Sequence, residues 1–232
     1  MDGSPSFDRF LAAVDRDGAI AETRTRAEAS LSRRRLLGLA LVGAGASLIG
    51  SSRARAARGL AASDVSILNY ALVLEYLQAS FYTEAERSGA LSGKTAEAAR
   101  VVGATERAHV EAFRELLKSQ AVKRPTFDFQ GATEQQQPFL KTAVAFEDLA
   151  VAAYKGQAPK LQSNAVLAAA VGIHSVEARH AAWMRELFGI TPAVHAFDKP
   201  ASRASVTEIV ASTHFIVAKP QLTKRRRPKY TG

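Results

Sequence analysis

The chain of 232 residues contains no cysteine. That excludes disulfides, thiolate metal sites and a cysteine nucleophile, and it leaves the redox compartment open, because a chain without thiols tolerates either. Proline is sparse, with 8 residues, and long β-branched runs are few, which points toward helices. A basic stripe is also missing, despite a formal charge of +9. Residues 1–56 hold nine arginines and six acids, and the last nine residues carry Lys224, Arg225, Arg226, Arg227 and Lys229, while what lies between is close to neutral. The charge sits at the two ends, so the middle lacks the surface that duplex binding requires and no specific nucleic-acid partner is expected. Long hydrophobic runs are scarce as well. The apolar stretch from Leu36 to Gly50 is short and rich in Gly and Ala, and a stable bilayer anchor needs roughly 20 apolar residues. What the chain does have is 47% apolar residues, enough for a sizeable core.

The N-terminal stretch has the layout of an address. Ser32-Arg33-Arg34-Arg35-Leu36-Leu37 opens the short apolar run, and Ala54-Arg55-Ala56 closes it with a small-x-small site of the kind signal peptidase cuts. A long polar lead, paired arginines, a weak apolar region and that site together resemble a twin-arginine translocation signal; the alternative is an uncleaved anchor or a basic surface helix. The resemblance implies a cleaved signal over residues 1–56 and a mature chain beginning near Ala57. It also implies the twin-arginine export machinery as a partner, with the periplasm or extracytoplasmic envelope as destination. That route carries folded proteins, so a bound metal would be chosen in the cytoplasm.

Apolar spacing predicts four long helices, with steps alternating between three and four, the seam of a bundle. The first runs from Asp64, read as its N-cap, to Glu86 along Leu68, Ala71, Glu75, Gln78 and Tyr82. The second runs from Thr95 to Ser119 along Val102, Glu106, His109, Phe113 and Leu116. The third runs from Gln136 to Lys155 along Leu140, Ala143, Glu147, Ala150 and Tyr154. The fourth runs from Ser163 to Phe188 along Val166, Ala170, Ile173, Glu177, His180, Met184 and Leu187. Short joints around Gly89 and Gly93, and around Gly156 and Pro159, make antiparallel hairpins, while Ala121 to Glu134 is long enough to run the length of a bundle. The expected domains are the bundle over 57–190, an extension over 191–218 in which Pro200 to Ile216 reads as a short fifth helix, and a basic tail over 219–232. The basic tail has anionic envelope polymers as a candidate contact, and a homodimer is a candidate assembly.

The hairpins also repeat in chemistry. Glu75 and Tyr82 are spaced like Glu147 and Tyr154, and Glu106-x-x-His109 recurs as Glu177-x-x-His180. Residues three apart share a helix face one turn apart, so a Glu and a His so placed can reach one ion. A lone Glu-x-x-His is weak, but both pairs lie on apolar stripes, where an unpaired carboxylate costs several kcal/mol. Both also have a partner Glu upstream at matching separation. Glu84, Glu115 and Glu186 each lie nine residues after a candidate ligand, which turns them to the opposite face and predicts solvation. Glu75, Glu106, His109, Glu147, Glu177 and His180 are therefore the candidate metal ligands. A pair of Glu residues with two Glu-x-x-His motifs is the donor set of dimetal carboxylate bundles, and oxygen with imidazole suits iron or manganese.

Asp64 to about Leu187, with Leu68-Asn69-Tyr70-Ala71-Leu72-Val73-Leu74-Glu75-Tyr76-Leu77 and Phe81-Tyr82 in its first helix, resembles the bacterial ferritin-like domain proteins, a group that includes desiccation-related plant proteins. The resemblance implies an all-α, antiparallel four-helix bundle of two hairpins joined by a long crossover. It implies two iron ions, or two manganese ions, and an oxidoreductase acting on dioxygen, peroxide or ferrous iron. Metal storage and a stress-protective structural role are the alternatives. No catalytic residue separate from the ligands can be named. Gln78 departs from the resemblance, since relatives often carry a second acid there. Gln78, Tyr82, Tyr154 and His174 are candidates for contacts around the ligands, with plain packing open for each tyrosine. For His174 an extra ligand and a hydrogen-bonded core histidine are both open. Arg107 and Arg179 are read as surface or ion-pair residues, and His195 and His214 have no partner spacing.

Overall fold

A computed structural model describes residues 60–217. The signal reading of 1–56 and the basic tail of 219–232 lie outside the described residues. The helices are α1 (Ala62–Ser88), α2 (Gly93–Leu117), α3 (Gln136–Gln157), α4 (Asn164–Phe188) and α5 (Arg203–Ser212). Among the described residues, no helix is long and apolar enough to cross a membrane.

The alternating apolar spacing turns one stripe of each long helix inward. Leu68, Leu72, Val102, Phe113, Leu140, Ile173 and Met184 are all buried in one core. α1 packs along α2 and α3 along α4, with lighter contacts of α1 on α3 and α2 on α4 closing the bundle. Bonds at the ends fix the directions. The Ser88 hydroxyl donates to the Thr133 carbonyl and the Ser92 amide to Gln136 at one end, while Asp64 accepts from the Gln162 and Ser163 amides at the other. α1 and α4 therefore run one way and α2 and α3 the other, which is the all-α bundle expected, with its long crossover between the hairpins. α4 stops in a left-handed turn at Gly189, whose N–H reaches the Glu186 carbonyl while that of Ile190 reaches Arg185, a closure that favours glycine.

Three details differ from the sequence reading. Asp64 is not the N-cap of α1. That position is Ala61, and Asp64, buried one turn in, ties down the start of α4 instead. Gly156 is not in a joint. It lies inside α3, where a Cβ would stand 1.9 Å from the Ala201 carbonyl oxygen, so it admits the close passage of the C-terminal segment. The crossover is more than a strap. Its β1 (Thr126–Phe127) pairs antiparallel with β2 (Ile216–Val217), and it buries Phe127 and Phe129. The two-residue strands are too short for any alternating pattern to show. The fifth helix is shorter than its predicted span and lays Val206 and Val210 against α3.

Candidate metal centre

Each of the four long helices delivers part of one interior cluster. α1 brings Glu75, α2 Glu106 and His109, α3 Glu147, and α4 Glu177 and His180. The four carboxylates are 0% exposed and the two histidines 2% and 6%, so water does not solvate them. The i,i+3 spacing sets each histidine beside the glutamate of its own helix, and the bundle closes the two hairpins face to face. Both imidazoles present Nδ1 inward. His109 Nδ1 lies 3.2 Å from both Glu75 and Glu177 and 3.5 Å from Glu106. His180 Nδ1 lies 2.9 Å from Glu106 and 3.5 Å from Glu147.

The donors fall into two overlapping groups. Glu75, Glu106, His109 and Glu177 offer one atom each within 4.8 Å of one another, and so do Glu106, Glu147, Glu177 and His180. Ligands bonded to one ion at about 2.1 Å lie within about 4.2 Å of each other, so either group needs little adjustment to hold a cation. Glu106 and Glu177 belong to both.

Without a cation the cluster is badly satisfied. Both oxygens of Glu106, Glu147 Oε2, Glu177 Oε1 and His180 Nδ1 are buried with no hydrogen-bond partner. His180 Nδ1 is close to Glu106 Oε1, but the two are not aligned as donor and acceptor. Orphaned buried atoms of this kind cost about 1–3 kcal/mol each, more when charged. Oxygen and imidazole donors, with no sulfur, suit iron or manganese. The residues therefore fit a bound metal.

The electrostatics follow from that crowding. Burial pushes Glu75 up to about 7 against the pull of His109, and burial with the nearby Glu106 raises Glu177 well above the usual carboxylate range. Burial also disfavours charge on Glu106, but the imidazoles of His109 and His180 beside it overcome that and hold the carboxyl low. Burial alone would lower both histidines. Glu75 and its neighbours carry His109 well upward, and Glu106 and Glu147 carry His180 to about 10.

The tyrosines cross between hairpins. Tyr82 of α1 donates to Glu147 of α3 at 2.5 Å, and Tyr154 of α3 donates to Glu75 of α1. Burial, then the facing carboxylates, raise both phenols well above their ordinary range, so both stay protonated donors. Gln78 donates its amide to Glu177 Oε2 at 3.4 Å. His174 does not join the cluster. It is half-buried, its Nε2 lacks a partner, and burial lowers it with Asp198 and Lys155 nearby.

The phase test on the outer acids holds only in part. Glu186 is exposed and Glu115 half-buried, but Glu84 is buried and accepts from the Thr133 hydroxyl at 2.6 Å. The crossover covers that flank of α1, which helix phase alone does not reveal. Arg107 pairs with Glu86 at 2.8 Å, Arg179 is exposed, and His195 and His214 are exposed away from the cluster. Tyr70 Oη and Gln157 Nε2 are also buried without a hydrogen-bond partner, and nothing in their spacing marks these residues in the sequence.

Residues 63–189 match a family model described as a ferritin-like domain. No curated protein matches the chain.

Proposed function

The chain belongs to the ferritin-like domain family, and from that premise we propose that it is an exported dimetal-carboxylate protein, a di-iron or di-manganese oxidoreductase acting on dioxygen, peroxide or ferrous iron. One observation carries the reading: the two four-residue groups share Glu106 and Glu177. Two shared carboxylates between two sets of donors are what a pair of neighbouring cations requires, because a carboxylate has one oxygen for each and offsets part of the charge of both.

In this reading Glu106 and Glu177 would be shared between the two ions, Glu75 with His109 would complete one set of donors, and Glu147 with His180 would complete the other. Bound there, two redox-active ions would supply the two electrons that reduce dioxygen to peroxide or peroxide to water. The chain fixes the geometry. Tyr154 and Tyr82 hold Glu75 and Glu147 through hydrogen bonds from the opposite hairpin, and Gln78 steadies Glu177. The surrounding apolar side chains exclude bulk water.

The test is metal analysis of protein exported by its native route, followed by turnover assays with dioxygen and peroxide. About two ions per chain are expected. A chain that binds none would instead support the protective role, and a large closed assembly would favour storage. Export is tested separately by Arg33→Lys with Arg34→Lys. The precursor should then stay in the cytoplasm, and normal export, or a mature start far from Ala57, would remove that part of the proposal.

A further inference from the structure

Charge is nearly balanced over residues 60–217, with fifteen lysines and arginines against sixteen acids. It is not evenly spread. Six of the fifteen cations, Arg87, Arg107, Arg114, Lys118, Lys123 and Arg124, line one groove of about 850 Å³, together with only two of the acids, Glu111 and Glu115. Room of this size is ample for a ligand rather than for solvent alone. The groove lies along α1, between α2 and residues 121–124 at the start of the crossover. Arg107 of α2 donates to Thr83 at 3.0 Å and Arg124 of the crossover to Ser80 at 2.7 Å, both on α1, so α1 is the floor and the other two segments are the walls. Because the six cations come from three segments, no basic run marks them in the sequence.

The groove gathers positive charge that the fold does not neutralise. Arg114, Lys118 and Lys123 are exposed and make no ion pair among the described residues. Like charges so close repel one another, and a concave wall of one sign focuses their field on whatever enters. Lys118 has a further cost. It caps α2 at φ 54° and ψ −124°, a conformation that favours glycine. The chain carries an ammonium there instead.

The layout discriminates among anions. Arg107 and Lys118 are eleven residues apart along α2, about 16 Å at about 1.5 Å per residue. A single phosphate reaches only one end of that span. An acidic peptide in extended form turns successive side chains to opposite sides, so each wall meets a carboxylate about every 7 Å. A chain of phosphates has free oxygens for both walls at every unit, and the planar fork of arginine matches them. A nucleic-acid strand would want aromatic platforms for its bases. Tyr76 is the one aromatic residue in the lining. It is 5% exposed and donates its hydroxyl to the Val122 carbonyl.

We propose that this groove binds a linear chain of phosphates, whether inorganic polyphosphate or a phosphodiester polymer, between the cations of α2 and those of the crossover. None of the six candidate metal ligands is in its lining, so the groove stands apart from the dimetal reading.

Titration calorimetry on the chain with its basic tail intact tests this, using orthophosphate, long linear polyphosphate, poly(glycerol phosphate) and poly-aspartate as probes. At least one of the two phosphate chains should bind about tenfold or more tighter than orthophosphate or poly-aspartate, and the tighter of them names the source. Its affinity should fall steeply with added salt, as counterion release requires. Arg114→Gln with Lys123→Gln should weaken binding about tenfold and flatten the salt slope by about two, one for each cation removed. The melting temperature of that variant should stay at the parent's, because both positions are exposed. Lys118→Gly should weaken binding while raising the melting temperature, since glycine is unstrained at that φ. A lysine with a purely structural role would not part the two readouts in this way. Poly-aspartate binding as tightly as the phosphate chains would make the groove a docking surface for acidic protein and overturn the proposal. Unchanged affinity in the Arg114 and Lys123 variant, or in Lys118→Gly, would assign the binding to the basic tail and also overturn it.

Discussion

The two ends of the bundle correspond by a shift of 72 residues between α1 and α3 and 71 between α2 and α4, yet one is packed solid and the other is hollow. At the solid end Phe81 stacks on Phe139 at 5.1 Å and meets Phe129 and Phe146 edge-on. Phe129 comes from the crossover, and Phe215, beside β2, closes over Phe129 and Phe146. At the hollow end, where α1 begins, Ala153 and Ile67 stand where Phe81 and Phe139 would, and a cavity of about 20 Å³ remains. Between the ends the correspondence is close: the same candidate ligands, the same Glu-x-x-His, and tyrosines that cross symmetrically. Apart from Gln78, which donates to Glu177 and whose counterpart is Ala150, what touches the cluster is alike in both hairpins, whereas what packs the ends follows the chain that happens to cover them.

If the cluster is truly symmetric, its shared and unshared ligands must differ more than its two halves do. Glu106→Ala and Glu177→Ala should each take metal content from about two ions per chain to near none, because each removes an oxygen from both positions. His109→Ala and His180→Ala should each leave about one, in opposite positions. Atomic emission on purified protein reads both. Similar losses for all four variants would break the assignment of bridges.

Metal removal probes the same cluster through stability. A ligand that binds only the folded state adds about 4 kcal/mol when it is present at about 1,000 times its Kd. The pH dependence has a definite sign. Glu75 at about 7 and His180 at about 10 are both raised in the metal-free fold. Each contributes stability that is complete below its unfolded value, about 4.3 for Glu and 6.5 for His. That stability is lost as pH rises through the folded value. Metal needs the deprotonated ligands, so it binds better over the same range. The gap in melting temperature between loaded and stripped protein should widen from about pH 5 to 8. A gap that narrows, or no gap at all, would mean that the cluster is not loaded.

The contrast between the ends should appear next. Phe81→Ala should cost about 3–5 kcal/mol by chemical denaturation, as expected for a fully buried aromatic. Ala153→Leu, at the corresponding position, should cost under about 1 kcal/mol because its added atoms enter the void. Equal costs would show that the hollow end collapses in solution.

The bundle and the cluster of six candidate ligands were legible because both depend on helical periodicity, which the sequence writes directly. Glu-x-x-His at matching separations needs only that the stripe be straight. The misses share another cause. Glu84, Phe127, Phe129 and Gly156 owe their environments to the crossover and the C-terminal segment, whose paths have no period to read. The cavity was invisible for a related reason: a void is defined by what Ile67, Ala153 and Leu74 fail to fill, and small residues on an apolar stripe look like any other core.

The smallest effect concerns how the hairpins are pinned to each other. Asp64 accepts from the backbone of Gln162 at 2.9 Å and of Ser163 at 3.0 Å. Its counterpart by the 72-residue shift, Gln136, accepts from the Ser92 amide and hydroxyl, both at 3.4 Å, and Ser92 is the counterpart of Ser163. Each hairpin's first helix thus fastens the start of the other hairpin's second helix. The two fastenings differ in strength for physical reasons. Asp64 is 1% exposed and has a formal charge to share between two short bonds. Gln136 is neutral, exposed and at the limit of bonding distance. Hydrogen bonds to charged groups contribute about 1.5–3 kcal/mol, so Asp64→Ala should lower unfolding free energy by roughly that much. Gln136→Ala should stay within about 0.5 kcal/mol of the parent, as exposed substitutions do. Asp64→Asn keeps one acceptor oxygen without the charge and should fall between them. If Asp64→Ala proves as mild as Gln136→Ala, the pinning is symmetric after all, and the stability of the α4 start comes from its own Ser163 cap, whose hydroxyl accepts from Val166.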